Sequence, residues 1–105
     1  MTARYQLPSR RMHHVIEFGF HGERYRAGFC FFENGALAEI FLTAARASSD
    51  ADISAKDSAI LASIALQHGI PVRTLRHALL ESDNGTAAGA LGHALDLIDA
   101  GSYAS

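Results

Sequence analysis

Apolar and polar residues alternate along the first half of the chain. A period of two over residues 12–20 is typical of a half-buried β-strand, because successive strand side chains point to opposite faces. Residues 24–33 and 37–43 are predicted to form two further strands. The pattern therefore predicts three consecutive strands.

Short turn-forming segments separate these strands. Residues 21–23, His-Gly-Glu, are a plausible first turn. Asn34-Gly35 is the dipeptide that accepts positive φ in a type I′ hairpin turn. Connections this short join antiparallel neighbours, so we predict a three-stranded antiparallel meander.

The second half of the chain changes to helical spacing. Residues 44–53 are small and polar and predict a loop. Ser54 and Asp57 resemble a capping box, which predicts a helix over 54–68 with one apolar face. The first helix is therefore expected to begin at Ser54.

Two further helices are expected after the first. Gly69 fits the left-handed position that ends a helix, and Pro71 suits the start of the next one. A third apolar stripe predicts a helix over about 91–100. Strands followed by helices indicate an α+β protein: a three-stranded antiparallel meander sheet followed by three helices packed on one face.

The length of 105 residues suits one domain. We expect an extended N-terminal arm over 1–11, the domain over 12–100, and a frayed tail over 101–105.

The second strand is apolar on both faces. Its two faces are Tyr25, Ala27, Phe29 and Phe31 on one side, and Arg26, Gly28, Cys30 and Phe32 on the other. Strands of this kind are normally covered on both sides, and three helices can cover only one. The two open edges of a meander also invite pairing. The sequence therefore predicts a homodimer.

Charge and hydropathy narrow the class of protein. The formal net charge is −2, with a basic N-terminal half and an acidic C-terminal half. This balance disfavours nucleic acid as a partner and calls for no membrane surface. The N-terminus resembles no signal peptide, and no apolar run reaches the length of a membrane helix, so we expect a cytoplasmic protein.

Few residues here have the spacing of catalytic or metal sites. Cys30 is the single cysteine and stands among phenylalanines, which favours a packed thiol over a nucleophile. The six histidines include no i, i+4 pair, so we expect no metal, no cofactor and no catalytic set. Glu17 and Glu39 are expected to pair with Arg24 or Arg26 across the sheet.

The arginines are the best candidates for binding. Arg10, Arg11, Arg24 and Arg26 lie in the basic half and can gather on one side of the fold. Guanidinium groups suit phosphate and carboxylate. We therefore predict that these four residues bind a ligand or a partner.

Several short motifs also share one order along the chain. They are Leu7-Pro8-Ser9-Arg10-Arg11, Gly22, Tyr25, Glu33-Asn34-Gly35, Glu39-Ile40-Phe41, Ser63, Leu66-Gln67-His68-Gly69 and Pro71-Val72. This order resembles that of the TSCPD domain, over roughly residues 7–98. That domain is found near the C-terminus of cobalamin-dependent (class II) ribonucleotide reductases and as small free-standing proteins.

The resemblance implies a link to deoxyribonucleotide synthesis without the reaction itself. A reductase of this type needs a thiyl-forming cysteine and a reducing cysteine pair, and this chain has only Cys30. The motif that names the family, Thr-Ser-Cys-Pro-Asp, is absent, and residues 89–96 stand in the matching region. The resemblance therefore implies a non-catalytic accessory or binding module that docks on a reductase subunit or binds a nucleotide or other phosphorylated ligand.

Two other classes of function stay open. One is a small enzyme with a folded-up His/Glu site at a dimer interface, which His13 or His68 beside Glu39 or Cys30 in a cleft would favour. The other is a nucleic-acid binder, which the acidic pI disfavours.

Overall fold

The computed structural model describes residues 13–99, with the side chain of His13 left aside. Its elements are β1 (His13–Phe20), β2 (Glu23–Phe31), β3 (Leu37–Ala44), α1 (Asp50–Gln67), α2 (Val72–Ala78) and α3 (Ala90–Asp99). The strands form one antiparallel sheet in the order β1-β2-β3. The predicted α+β meander followed by three helices is confirmed. The predicted arm and tail, including Arg10 and Arg11, lie outside the described residues.

The first hairpin has the tightest turn. His21 and Gly22 both have positive φ, 49° and 82°, as the two central residues of a type I′ turn require. The type I′ prediction at Asn34-Gly35 is wrong, because only Gly35 has positive φ there. Residues 32–36 instead form a longer connection, in which the Asn34 side chain accepts the backbone N–H of residue 36 at 2.9 Å. In this longer connection only Gly35 has to adopt a positive φ.

One face of the sheet forms the core with the helices. The strand register aligns Tyr25 with Phe18, and Phe29 with Ile40, so large apolar side chains meet across the strands. The fully buried members include Phe29, Ile40 and Leu42. The helices contribute mainly alanine and leucine to this cluster, from Ala55, Ala59, Ala62, Leu66, Leu91, Ala94 and Leu95. Of the two apolar faces that the sequence indicates for β2, the helices therefore cover the one with Tyr25, Ala27 and Phe29.

Helix α1 begins earlier than predicted. Ser49, not Ser54, is the N-cap, and its side-chain oxygen accepts the backbone N–H of Asp52 at 3.2 Å. The predicted loop over 44–53 is thus only partly correct, since it contains the cap and the first turn of α1. At the other end, Gly69 takes the expected left-handed conformation with φ +95°. The amino-acid composition does not distinguish the start of α1 from a loop, because serine and aspartate are common in both loops and helix caps.

The outer edge of β3 is closed by polar side chains of α1. The Asp52 carboxylate accepts the backbone N–H of Ala44 at 3.0 Å. The Ser63 hydroxyl accepts the N–H of Ile40 and donates to its carbonyl, both at 2.9 Å. The side-chain amide of Gln67 donates to the carbonyl of Ala38 at 3.1 Å. The expectation that both sheet edges are open is therefore wrong at β3, because a helix covers this edge.

Asp52 is the most heavily engaged of these side chains. Besides Ala44, its carboxylate accepts the N–H of Ser48 at 2.9 Å and pairs with Lys56 at 3.0 Å. The two backbone donors and Lys56 hold the pKa of Asp52 below its ordinary value. The side chain is 1% exposed, so an ionised carboxylate is held within the fold and fully hydrogen-bonded.

The last two helices are tied to each other. The Arg76 guanidinium of α2 makes two parallel bonds to Asp96 of α3, at 2.8 and 3.0 Å, and a third to Glu81 at 3.1 Å. At the start of α3, a Cβ on Gly92 would stand 2.9 Å from the Cβ of Ala87.

Over residues 13–99 none of the helices has both the length and the apolarity that crossing a bilayer demands.

Candidate functional site

The outer face of the sheet, opposite the core, carries the predicted arginines of β2. Arg24 and Arg26 alternate with the buried Tyr25 and therefore share this outer face. They line a cavity of about 300 Å³. Its lining, called here the arginine pocket, is Glu17, Arg24, Tyr25, Arg26, Thr43, Ala44 and Ala45.

One of the two arginines is already paired. Nη2 and Nε of Arg26 both donate to Oε2 of Glu17, at 2.6 and 3.1 Å. Arg26 and Glu17 are direct partners in the β1–β2 register, which confirms the predicted cross-strand ion pair for Glu17. The prediction is wrong for Glu39, whose register partner on β2 is Cys30 and which forms no salt bridge among the described residues. Hydrogen bonding and charge from Arg26, with a smaller contribution from Arg24, lower the pKa of Glu17 from its ordinary value. Glu17 is therefore a carboxylate at neutral pH, and it fixes the direction of the Arg26 side chain.

The other arginine has no such partner. Within the described part of the chain, no carboxylate lies in salt-bridge distance of Arg24. Gly19 is its register partner on β1, and a Cβ there would stand 3.3 Å from Nη1 of Arg24. The guanidinium thus lies across a strand position that has no side chain. With one glutamate and two arginines, the pocket has a net charge of +1.

Sequence reasoning found part of this pocket. It grouped Arg24 with Arg26 and gave Glu17 as a partner, and the structure brings these three together. It missed Thr43, which lies opposite Arg26 on β3. Only the strand register identifies that neighbour. Tyr25 lies on the core face of β2, and burial raises the pKa of its phenol.

A second arrangement on the outer face involves the cysteine. Cys30 is 8% exposed, as expected for a packed thiol. The register makes His13 its partner on β1 and Glu39 its partner on β3. Backbone pairing therefore places a histidine and a glutamate at the two positions flanking the single cysteine.

The other histidines lie against aromatic rings or apart. His21 stacks on Phe20 with ring centroids 4.0 Å apart, and His93 lies 4.9 Å from the same ring. His68 directly follows α1, and His77 belongs to α2. Within residues 13–99 no three or more histidine, cysteine, aspartate or glutamate residues are grouped as metal ligands.

Comparisons with known proteins add no family to this geometry. No family model, no curated protein and no solved structure matches the chain. The function is therefore argued from the pocket and its charges.

Proposed function

We propose that this protein is a cytoplasmic, non-catalytic binding module whose arginine pocket takes an anionic group from a phosphorylated ligand or from a partner protein. The TSCPD resemblance suggests the setting, which is deoxyribonucleotide synthesis, with a nucleotide or a ribonucleotide reductase subunit as the bound partner. The observation that carries the proposal is the guanidinium of Arg24, which has no carboxylate partner among residues 13–99 and lines the same pocket as the paired Arg26.

The division of roles follows from the charges. Arg24 presents a planar fork of donors that matches two oxygens of a phosphate or a carboxylate. Glu17 keeps Arg26 in place but neutralises much of its charge, so Arg24 supplies most of the attraction. A charge-assisted hydrogen bond contributes about 1.5–3 kcal/mol, and two of them correspond to a Kd near 1 mM. Weak, salt-sensitive binding is the expected behaviour of this pocket alone.

Calorimetric or NMR titration with pyrophosphate and with ATP tests the pocket. Arg24→Gln should weaken binding about tenfold, the effect of losing roughly 1.4 kcal/mol. Arg73→Gln is the matched control, because Arg73 is an exposed arginine of α2 outside the pocket. Glu17→Gln should strengthen binding by freeing Arg26. Equal weakening by the two arginine variants, or no binding of either anion, would refute the pocket as an anion site.

Docking on a reductase needs its own measurement. A purified cobalamin-dependent ribonucleotide reductase should be retained by the immobilised protein, and Arg24→Gln should reduce that retention. If the reductase passes through at low salt while pyrophosphate still binds, the docking half of the proposal is wrong and the ligand half stands.

The register that places His13 and Glu39 on either side of Cys30 favours a second candidate, a small enzyme that uses these three residues. A histidine beside a cysteine can activate the thiolate, and a carboxylate can support the pair. Iodoacetamide alkylation of the native protein distinguishes the readings. An enzyme requires alkylation at neutral pH that slows in His13→Gln and Glu39→Gln. Modification that occurs only in denaturant identifies Cys30 as packed and excludes this candidate.

A further inference from the structure

Helix α1 is apolar on two sides, although the domain core uses only one. Its inner side packs on the sheet through Ala55, Ala59, Ala62 and Leu66. Its outer side carries four large aliphatic side chains, called here the α1 stripe: Ile53 (52% exposed), Ile60 (57%), Leu61 (69%) and Ile64 (37%). A surface helix normally presents polar residues on the side away from the core. The outer side of α1 therefore has the composition of a covered surface.

The stripe continues onto the sheet. A groove of about 300 Å³ runs between β3 and α1, with Phe41 on one wall and Ile60 on the other. Phe41 is half exposed and projects from the outer face of β3. Phe41 and the α1 stripe together form one apolar patch of roughly 300 Å², if each side chain is about half exposed. Contiguous patches of this size on small proteins commonly mark interaction sites.

The partner of this patch must itself be apolar. Residues 58–67, the last ten of α1, contain no ionisable side chain. The charged residues of the helix, Asp50, Asp52, Lys56 and Asp57, all lie in its first half. A charged peptide or a nucleic acid would meet no complementary charge along the second half.

The patch has the two features that a two-fold interface needs. A two-fold interface uses the same surface on both subunits, so that surface needs both a projection and a depression. Leu61 is the most exposed residue of the stripe, and the groove beside Ile60 is the depression next to it. An antiparallel pair of α1 helices, each about 27 Å long, sets stripe on stripe and opposes the two helix dipoles. Roughly 300 Å² of apolar surface per copy suits the apolar centre of a small interface, with a polar rim around it.

We propose that α1 is the homodimer interface, with two α1 helices packed antiparallel and Leu61 of each copy seated beside Phe41 and Ile60 of the other. This differs from the sequence-based expectation, in which the uncovered sheet face and its edges pair. The β3 edge is occupied by Asp52, Ser63 and Gln67, so it offers a poor template for another strand. The interface and the arginine pocket meet at β3, where Thr43 lines both the groove and the pocket, so dimerisation and anion binding are measured separately.

Sedimentation velocity over a hundredfold range of concentration from low micromolar tests the proposal. The wild type should shift from monomer to dimer, and Leu61→Glu should weaken the dimer at least tenfold. At the lowest concentration, where both proteins are monomeric, the melting temperatures of the two should match. Leu80→Glu is the matched control, because Leu80 is 82% exposed and lies outside the patch, so its dimer should match wild type. A second disruptive variant, Ile60→Ser, should also weaken the dimer.

Three results would overturn the interface. One is a wild type that stays monomeric at every concentration. Another is a dimer that Leu61→Glu leaves intact. The third is a dimer that Val15→Glu breaks and Leu61→Glu does not, since Val15 lies on the outer face of β1 and would place the interface on the sheet.

Discussion

Replacing Ser63 with alanine measures how much α1 contributes by closing the β3 edge. Ser63 is 4% exposed, and its hydroxyl makes two hydrogen bonds of 2.9 Å to the peptide groups of Ile40. The substitution removes both bonds and leaves a buried N–H and a buried C=O of Ile40 without this partner.

The expected loss follows from these contacts. Two neutral hydrogen bonds contribute about 2 kcal/mol together, each being worth about 1 kcal/mol net. Alanine is favoured over serine in a helix by about 0.5 kcal/mol, which offsets part of the loss. The free energy of unfolding should therefore fall by about 1.5 kcal/mol. For a domain of this size, that lowers Tm by roughly 5–12 °C.

Urea unfolding and thermal melts of Ser63→Ala and Ser54→Ala provide the assay. Ser54 is exposed on the same helix, so its alanine variant gains the helix propensity without losing the edge contact. It should be as stable as the wild type or slightly more so. Hydrogen exchange at the Ile40 amide should accelerate only in the Ser63 variant. Equal stability of the two variants, with unchanged exchange at Ile40, would refute the reasoning.

Three further predictions test other contacts. The folded-state pKa of Asp52 lies below its unfolded value, so the ionised carboxylate stabilises the fold above about pH 4. That contribution is lost as the pH falls through the folded pKa. In thermal melts from about pH 5 to about 2, the Tm of Asp52→Asn should therefore decline less than the Tm of the wild type. Gly92→Ala should lower Tm despite the higher helix propensity of alanine, because the new Cβ would stand 2.9 Å from the Cβ of Ala87. Gly89→Ala, with open space around its Cβ, should not lower Tm. An equal Tm for both variants would contradict the close packing at Gly92. Arg76→Lys should lower Tm by a few degrees at low salt, because lysine cannot reproduce the two parallel bonds to Asp96, and a matched Tm at low salt would argue against them.

The composition of the strands made much of the architecture predictable. Alternation with period two is a local property, so it located β1 and β2 and separated Tyr25 and Phe29 from the arginines. The Glu17–Arg26 pair was also foreseeable, because short hairpins restrict which residues can face each other. The helix start at Ser49 was missed, since several serines and aspartates in a row offer equivalent caps.

The β3 edge shows the limit of such reasoning. Asp52, Ser63 and Gln67 are spaced along one side of α1, but their task depends on where that helix lies relative to β3. The α1 stripe is similar: Ile60 and Ile64 read as core positions in a helical pattern, yet the sheet is met by the alanines beside them. Periodicity reports that a face is apolar and leaves open which surface covers it.

The sequence by itself determined the class of the fold, the alternation of the sheet and the cluster of arginines on one strand, because these depend on neighbours close along the chain. Only the tertiary structure shows that α1 closes the β3 edge, that within residues 13–99 Arg26 has a carboxylate partner and Arg24 does not, and that the aliphatic stripe of α1 faces outward. The closed edge and the outward stripe depend on the direction in which α1 crosses the sheet, which is set by packing between residues far apart in sequence. The difference between the two arginines depends on the register of β1 and β2, which gives Arg26 a glutamate and Arg24 a glycine as its partner.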